Sequence, residues 1–275
     1  MSPDTEKVTQ IIRRVAATEI MPRFCQLADH DVSFKQENPK NLVTTADIEA
    51  EQRLSDELTR LLPGSAVVGE EGAEADPSVL SALAGDAPVW LLDPVDGTYN
   101  FARGTDCFAV IVGYCQGGQT VAGWIHDPVN DLTAWAVRGE GAWLTNSKGT
   151  KRLQVSVRRD VEQMTGSLGN RLAHRMQCRR ESGLDAVPGR IVRYGCTGRE
   201  YMDLARGVLD FAQYTRLKPW DHAAGVLIHS EASGYSLLTD TGSPYRPEPR
   251  ILENTVLLAP DKTSWKDLKA TLAQA

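Results

Sequence analysis

The sequence predicts a layered α/β protein of mixed α+β character, and three observations carry that expectation. Two short apolar runs, 65–69 and 89–92, have the length and composition of strands covered on both faces, and each ends in acidic residues. A central block, 108–145, alternates apolar segments with glycine turns, as an antiparallel meander does. The second half alternates strand-like and helix-like segments, the pattern of helices packed on a sheet.

In chain order, Ser2-Pro3 has the form of an N-cap followed by proline at the first helical position. Val8, Ile11, Ile12 and Val15 then share one face of a helix that should run to about Met21-Pro22. Residues 38–41 (NPKN) read as a turn. Thr44 and Asp47 are spaced as a capping box, with the shorter acid in the glutamate position, so a second helix begins here. Leu54, Leu58, Leu61 and Leu62 form its apolar face, and Pro63-Gly64 stops it. The strand at 65–69 ends at Glu70-Glu71-Gly72, and residues 73–88 predict a mobile loop with a short helix. The strand at 89–92 delivers Asp93-Pro94-Val95-Asp96-Gly97-Thr98. It should stop at Asp93, because Pro94 has no N–H for a ladder and Gly97 permits positive φ.

Segments 108–114 and 120–125 read as strands joined at Gly117-Gly118, and 133–138 and 142–145 as a pair around Gly139-Glu140-Gly141. The polar stretch 146–152 (NSKGTKR) is the candidate boundary between an N-terminal α+β domain, 1–147, and a C-terminal α/β domain, 148–275. Beyond it, 153–157, 191–194, 209–214 and 254–259 read as strands. Helices are expected at 199–208, 221–232 and 264–274, the last capped by Ser264 with Asp267. Asp221 reads as the N-cap of its helix, whose alanine and glycine first turn lets neighbours approach closely. His222 reads as a helix-surface or hydrogen-bonded residue rather than a metal ligand, since no second His or Cys has a matching position.

The totals exclude several classes. With 41% hydrophobic and 24% charged residues among 275, the chain is globular rather than wholly disordered. No apolar run reaches bilayer length and the first residues lack a basic then apolar leader, so a cytoplasmic location is the default expectation. Five scattered cysteines without a CxxC pair indicate neither a disulfide framework nor a zinc knuckle. A formal charge of −6 argues against a general nucleic-acid binder, and the basic segment 171–180 reads as a solvated helix face.

Asp93 and Asp96, held close at a strand end, would repel unless a positive charge sits between them. Oxygen ligation is the preference of hard cations such as Mg²⁺ or Mn²⁺, and no His or Cys lies in this turn. If strand 65–69 lies beside 89–92, a glutamate of the 70–71 pair could reach the same ion. Each feature also has an ordinary structural use: Asp-Pro and Asp-Gly as turn chemistry, Asp47 and Asp221 as caps, Glu70-Glu71 as solvated charge.

Taken together, Gly-Glu-Glu-Gly at 69–72, Asp-Pro-Val-Asp-Gly-Thr at 93–98 with Asn100-Phe101, and Trp-Asp-His-Ala-Ala-Gly at 220–225 resemble the inositol monophosphatase family in order and approximate spacing. Thr-Thr-Ala-Asp at 44–47 and Gly-Cys-Thr at 195–197 extend the resemblance over nearly the whole chain. It implies the αβαβα sandwich of the sugar-phosphatase superfamily, a site between the two halves, and a homodimer. It also implies Mg²⁺-dependent hydrolysis of a small phosphate monoester by an activated water, with two or three Mg²⁺ ions and Mn²⁺ as the alternative.

By the same resemblance, Glu70, Asp93 and the Val95 carbonyl hold a first ion, and Asp93, Asp96 and Asp221 a second. Asp47, Thr98 and Glu70 take catalytic roles, with Asp47 and Thr98 orienting and helping to deprotonate the water. Asp96, Gly97 and Thr98 meet the phosphate, and Gly195, Cys196, Thr197 and Tyr214 line the leaving-group side. Tyr214 stands where inositol-hydrolysing members resemble one another in having a glutamate, and tyrosine is no ionised acceptor near neutral pH. Tyr99 and Arg199 are further departures. Histidinol phosphate, fructose 1,6-bisphosphate and a 3′-phosphonucleotide therefore stay open beside inositol phosphate. A regulatory or RNA-machinery-associated binding protein is the reading from another class. A two-carboxylate glycosidase fits less well, because the acids cluster. The implied partner is a small phosphate ester, with no membrane and no nucleic acid.

Overall fold

Alternation along the strands decides the layers of this molecule. In the computed structural model, which describes residues 3–34, 42–183 and 187–274, Trp90 and Leu92 of one strand face one core while Leu91 faces another. Period-two alternation with apolar residues on both sides is what a sheet covered on both faces requires.

The first helix, α1 (Thr5–Val15), is capped by Asp4, whose carboxylate accepts the N–H groups of Glu6 and Lys7. The expected cap, Ser2, and the expected turn at 38–41 lie outside the described residues. Helical turns continue through Ala16–Ile20 and Met21–Arg23. A short antiparallel ladder, β1 (Val32–Phe34) with β2 (Leu42–Thr44), leads into α2 (Thr45–Leu61), which starts with the expected Thr44–Asp47 capping box. Strand β3 (Ala66–Gly69) runs straight into α3 (Glu70–Ala75). The expected loop is instead largely helical, with a 3-10 run at Pro77–Ala84 that buries Leu80 and Leu83. Asp76 caps that run and Pro77 opens it, a start signal that overrides the loop-like composition.

Strand β4 (Val89–Asp96) passes the stop expected at Asp93. Its ladder slips between Asp93 and Asp96, where Pro94 offers no N–H, and the strand resumes at Asp96. Then follow α4 (Thr98–Ala102), β5 (Ala109–Gln116), β6 (Gln119–Asp127), β7 (Leu132–Val137), β8 (Gly141–Asn146) and β9 (Gly149–Arg152). Strands β3 to β9 form one sheet in chain order, parallel at β3–β4 and antiparallel after it. The stretch 146–152 is thus the β8–β9 hairpin at the edge of this sheet. No strand forms at 153–157. Leu153 and Val155 donate their N–H groups to Ala142 and Ala232, so the segment crosses away from the sheet.

The second sheet, in the order β11-β10-β12-β14-β13, comprises β10 (Thr165–Ser167), β11 (Arg190–Val192), β12 (Phe211–Leu217), β13 (Tyr235–Leu238) and β14 (Leu252–Ala259). Its helices are α5 (Asn170–Glu181), α6 (Thr197–Ala205), α7 (Pro219–Glu231) and α8 (Lys262–Ala273). Asp261, not Ser264, caps α8, accepting the N–H groups of Thr263 and Ser264.

Three cores follow. Helices α1 and α2 cover the Trp90, Val110 and Trp124 face of the first sheet. Helices α6 and α7 fill the space between the Leu91 and Ile111 face and the Val256 and Leu258 face of the second. Leu172, Met176, Trp265 and Leu268, from α5 and α8, pack outside on Phe211 and Leu257. The result is an αβαβα stack, as the motifs imply. Small residues make the middle layer thin: a Cβ on Gly123 of β6 would lie 2.7 Å from the Ala224 Cα of α7.

Candidate active site

Because Leu91 faces the middle layer, Asp93 two residues on is delivered toward the same side, where the N-terminus of α7 lies. Glu70 arrives beside it as the first residue of α3, carried by the parallel pairing of Gly69 with Leu92. Asp221 comes from the first turn of α7. It is not the cap: Lys218 holds that position, Pro219 and Trp220 follow, and Asp221 is third. Carboxylate oxygens of Glu70, Asp93 and Asp221 lie within 4.8 Å of one another.

Asp93 is only 2% exposed, and among the described residues its Oδ1 has no hydrogen-bond partner. Burial, then the charges of Glu70, Asp96 and Asp221, hold its carboxyl well above the usual range. An all-oxygen donor set with a buried, unbonded carboxylate oxygen fits a hard cation. Asp96 is tied differently. Its Oδ2 accepts from the Cys196 thiol at 3.0 Å and the Gly198 N–H at 2.5 Å, which anchors it to the start of α6. Burial raises its pKa against those bonds.

Gly97, with φ of 90°, turns the chain into α4. A Cβ there would lie 3.0 Å from the Cys107 carbonyl and 3.1 Å from the Cys196 Cβ. Asn100 fastens this turn to the second half, donating to the Cys107 and Tyr194 carbonyls at 2.8 Å each. The Thr98 hydroxyl has two acceptors within reach, Val95 O at 2.9 Å and Asp47 Oδ1 at 3.2 Å, for its one hydrogen. The other oxygen of Asp47 accepts the Thr44 N–H at 2.8 Å and its hydroxyl at 2.6 Å. Burial pushes Asp47 up to about 7, opposed by the Thr44 bonds and aided by Glu71 and Glu70. The capping box and the site thus share one carboxylate.

A cavity of 210 Å³ is lined by Glu70, Asp93, Asp96, Thr98, Lys218 and Asp221, among others. A neighbouring cavity of 310 Å³, lined by Cys196, Thr197 and Tyr214, meets it at Gly195. The expected positions therefore line these two adjoining cavities, apart from Asp47, which stands behind Thr98. Of the departures, Tyr99 lines the first cavity beneath the Arg103 guanidinium, and Arg199 is bound to buried Asp127 at 2.7 Å. His222 is buried rather than on the surface, bonded through Nδ1 to the Tyr201 hydroxyl at 3.1 Å, and pushed down to about 3 by burial and Lys218.

Three residues that sequence reasoning missed belong to the site. Lys218 Nζ lies 2.9 Å from Glu70 Oε1. Burial opposes its charge, but Asp221 and Glu70 outweigh burial and hold the ammonium above its usual range. Glu51 of α2 accepts the N–H groups of Glu71 and Gly72 and so fixes the start of α3. Glu200 lines the second cavity with a buried carboxylate.

An αβαβα stack with a carboxylate cluster that could hold a metal ion, at the crossing of both halves, is the architecture of the sugar-phosphatase type. The chain belongs to the inositol monophosphatase family, whose model matches residues 4–275. An inositol-1-monophosphatase of Mycobacterium bovis is 34% identical over 208 residues, covering 74% of this chain and 70% of that one. A fructose-1,6-bisphosphatase/inositol-1-monophosphatase of Thermotoga maritima is 30% identical over 207 residues, 73% of this chain and 72% of that one. The solved structure of an IMPase from Thermotoga maritima shares the fold with a TM-score of 0.78 at 24% identity, over 97% of this chain and 96% of that one.

Proposed function

We propose that this chain hydrolyses a small phosphate monoester with Mg²⁺, with inositol 1-phosphate and fructose 1,6-bisphosphate, named in its relatives' activities, as the first candidates. One observation carries the reading: carboxylate oxygens from both halves converge within 4.8 Å of one another at buried Asp93, whose Oδ1 has no hydrogen-bond partner among the described residues. Glu70, Asp93 and the Val95 carbonyl would hold one ion, and Asp93, Asp96 and Asp221 another. Asp96 has its Oδ2 engaged by α6, so its Oδ1 is the oxygen left for such a role. Bound there, Mg²⁺ would screen phosphate charge and acidify water.

The chain's own residues do the rest. Asp47, with a pKa of about 7, takes up a proton near neutral pH, and the Thr98 hydroxyl beside it orients the attacking water. Glu70, which lines the same cavity as Thr98, is the third catalytic residue. The backbone at Gly97 and Thr98, opening α4, faces the phosphate. Cys196 and Gly198 steady Asp96, while Gly195, Thr197 and Tyr214 enclose the departing alcohol. The halves 1–147 and 148–275, apart from strand β9, which pairs back onto the first sheet, act as ligand-bearing and substrate-bearing domains of a homodimer. A cytoplasmic location accords with five unpaired thiols, and no helix among the described residues is long and apolar enough to cross a membrane.

The test is phosphate release from inositol 1-phosphate, histidinol phosphate, fructose 1,6-bisphosphate, adenosine 3′,5′-bisphosphate and glycerol 2-phosphate, with Mg²⁺ or with chelator. Mg²⁺-dependent release is expected, and Asp93→Asn should lower it by roughly 100-fold or more, with little recovery on added Mg²⁺. Near wild-type turnover by that variant would sink the assignment.

A further inference from the structure

The cavity beside the carboxylate cluster has a charged wall that none of the family motifs specifies. Glu200, on α6, is 4% exposed and lines that cavity with Ser167, Arg193, Thr197, Gln213 and Tyr214. Its Oε1 accepts the Tyr194 N–H at 3.1 Å, its Oε2 accepts the Tyr214 hydroxyl at 3.0 Å, and the Ser167 side chain bonds to it as well. A carboxylate has about four acceptor directions, so three protein donors leave about one for a ligand.

Tyr214, on β12, stands where the family resemblance implies an ionised glutamate. Its hydroxyl is spent on Glu200, which places the negative charge of this wall on the neighbouring helix, 3.0 Å from the tyrosine oxygen. The acceptor has changed element while staying in the same cavity. Tyr194 joins the arrangement through the backbone, next to Gly195, where the two cavities meet.

We propose that Glu200 selects the leaving group: its carboxylate accepts a hydrogen bond from a hydroxyl of the departing alcohol, and Tyr214 is the residue that positions it. The ligand class is the phosphate ester of a polyhydroxylated alcohol with a hydroxyl near the ester oxygen. An ester carrying a carboxylate at that place meets like charge and is disfavoured. The assignment rests on the phosphomonoesterase reading above.

The experiment compares inositol 1-phosphate with p-nitrophenyl phosphate, whose leaving group has no hydrogen-bond donor, in Mg²⁺, for wild type, Glu200→Gln and Tyr214→Phe. Circular dichroism verifies that each variant is folded. Glu200→Gln should lower the ratio of kcat/KM for inositol 1-phosphate over p-nitrophenyl phosphate by about 10–100-fold, chiefly through KM. Tyr214→Phe should lower the same ratio by only about 2–5-fold, since two donors still hold the carboxylate. A ratio that does not move, or a wild-type preference for p-nitrophenyl phosphate, overturns the role of Glu200. A wild type that turns over neither these two esters nor any other ester of the panel above overturns the phosphatase reading, and this assignment with it; turnover of a panel ester but not of inositol 1-phosphate overturns the role of Glu200 alone.

Discussion

Lys218 shows how one side chain sets the character of a carboxylate cluster. Glu70, Asp93 and Asp221 repel one another, and the ammonium 2.9 Å from Glu70 offsets part of that repulsion. The same ammonium opposes a divalent cation arriving at Glu70. Lys218→Met should therefore lower the stability of the metal-free protein by about 1–2 kcal/mol, a value reduced for the partial exposure of the pair. It should also tighten Mg²⁺ binding by about tenfold in a calorimetric titration, and unchanged or weaker binding would show that Lys218 does not compete at Glu70. Asp47, Asp93, Asp96 and Asp221 stand out in the sequence as acids at strand ends, turns and helix starts, but Asp47 and Asp221 read there as caps, and it is the family resemblance that implies their place in the site. Lys218 and Glu200 do not stand out. A lysine before a helix is an ordinary solvated residue until folding brings it to a strand end 148 positions away. A glutamate inside an amphipathic helix likewise gives no sign that its face meets a cavity.

The β3–α3 junction does for Glu70 what the capping box does for Asp47. Glu51 reaches from α2 to accept the Glu71 N–H at 2.9 Å and the Gly72 N–H at 2.7 Å, so the first turn of α3 is held from outside the helix. Gly69 makes room for it, since a Cβ there would lie 2.2 Å from the Glu51 Cδ. Burial pushes Glu51 up to about 7, with the two N–H bonds opposing and Glu71 and Glu70 adding to the rise. The unfolded chain ionises near 4.5, so between about 4.5 and 7 the unfolded state releases a proton that the folded state keeps. The contribution of this group to stability is thus fully present below about 4.5 and is lost as pH rises through about 7. Urea unfolding of the metal-free protein at pH 5 and pH 8 should show that decline, and Glu51→Gln should flatten it by up to about 3 kcal/mol. An identical pH dependence in wild type and variant would remove Glu51 from this role. Long, strongly patterned elements such as α1, α2 and the β5–β8 meander follow their sequence periodicity closely. The six-residue α3 and the three-residue β10 do not announce themselves, because elements so short carry less than two periods of their own pattern.

At the scale of the molecule, the candidate site exists only because the layers stack. Composition and alternation are enough for a layered α/β fold, but the second sheet's order, β11-β10-β12-β14-β13, depends on crossovers that no local pattern encodes. The family motifs supply that order by resemblance, and the three cores show its physical basis. Glu70 and Asp93 lie on the first sheet and its α3 extension, whereas Asp221 lies on α7 between the sheets. A cation bound by all three joins the first sheet to the middle layer and should stabilise the whole fold by mass action. At 100 times its dissociation constant the gain is about 2.7 kcal/mol, or roughly 5–10 °C in Tm for a chain of this size. Asp221→Asn removes the middle layer's charge from that contact. Its metal-free form should lie within about 1 kcal/mol of wild type, because a carboxylate that repels Asp93 is gone together with one that holds Lys218 charged, while its Mg²⁺-induced rise in Tm should fall to less than half. Thermal scans of both proteins with Mg²⁺ and with chelator separate these effects. Equal rises in the two would mean that any bound ion is held within one half of the molecule, and that the convergence of the three carboxylates serves something other than a shared metal.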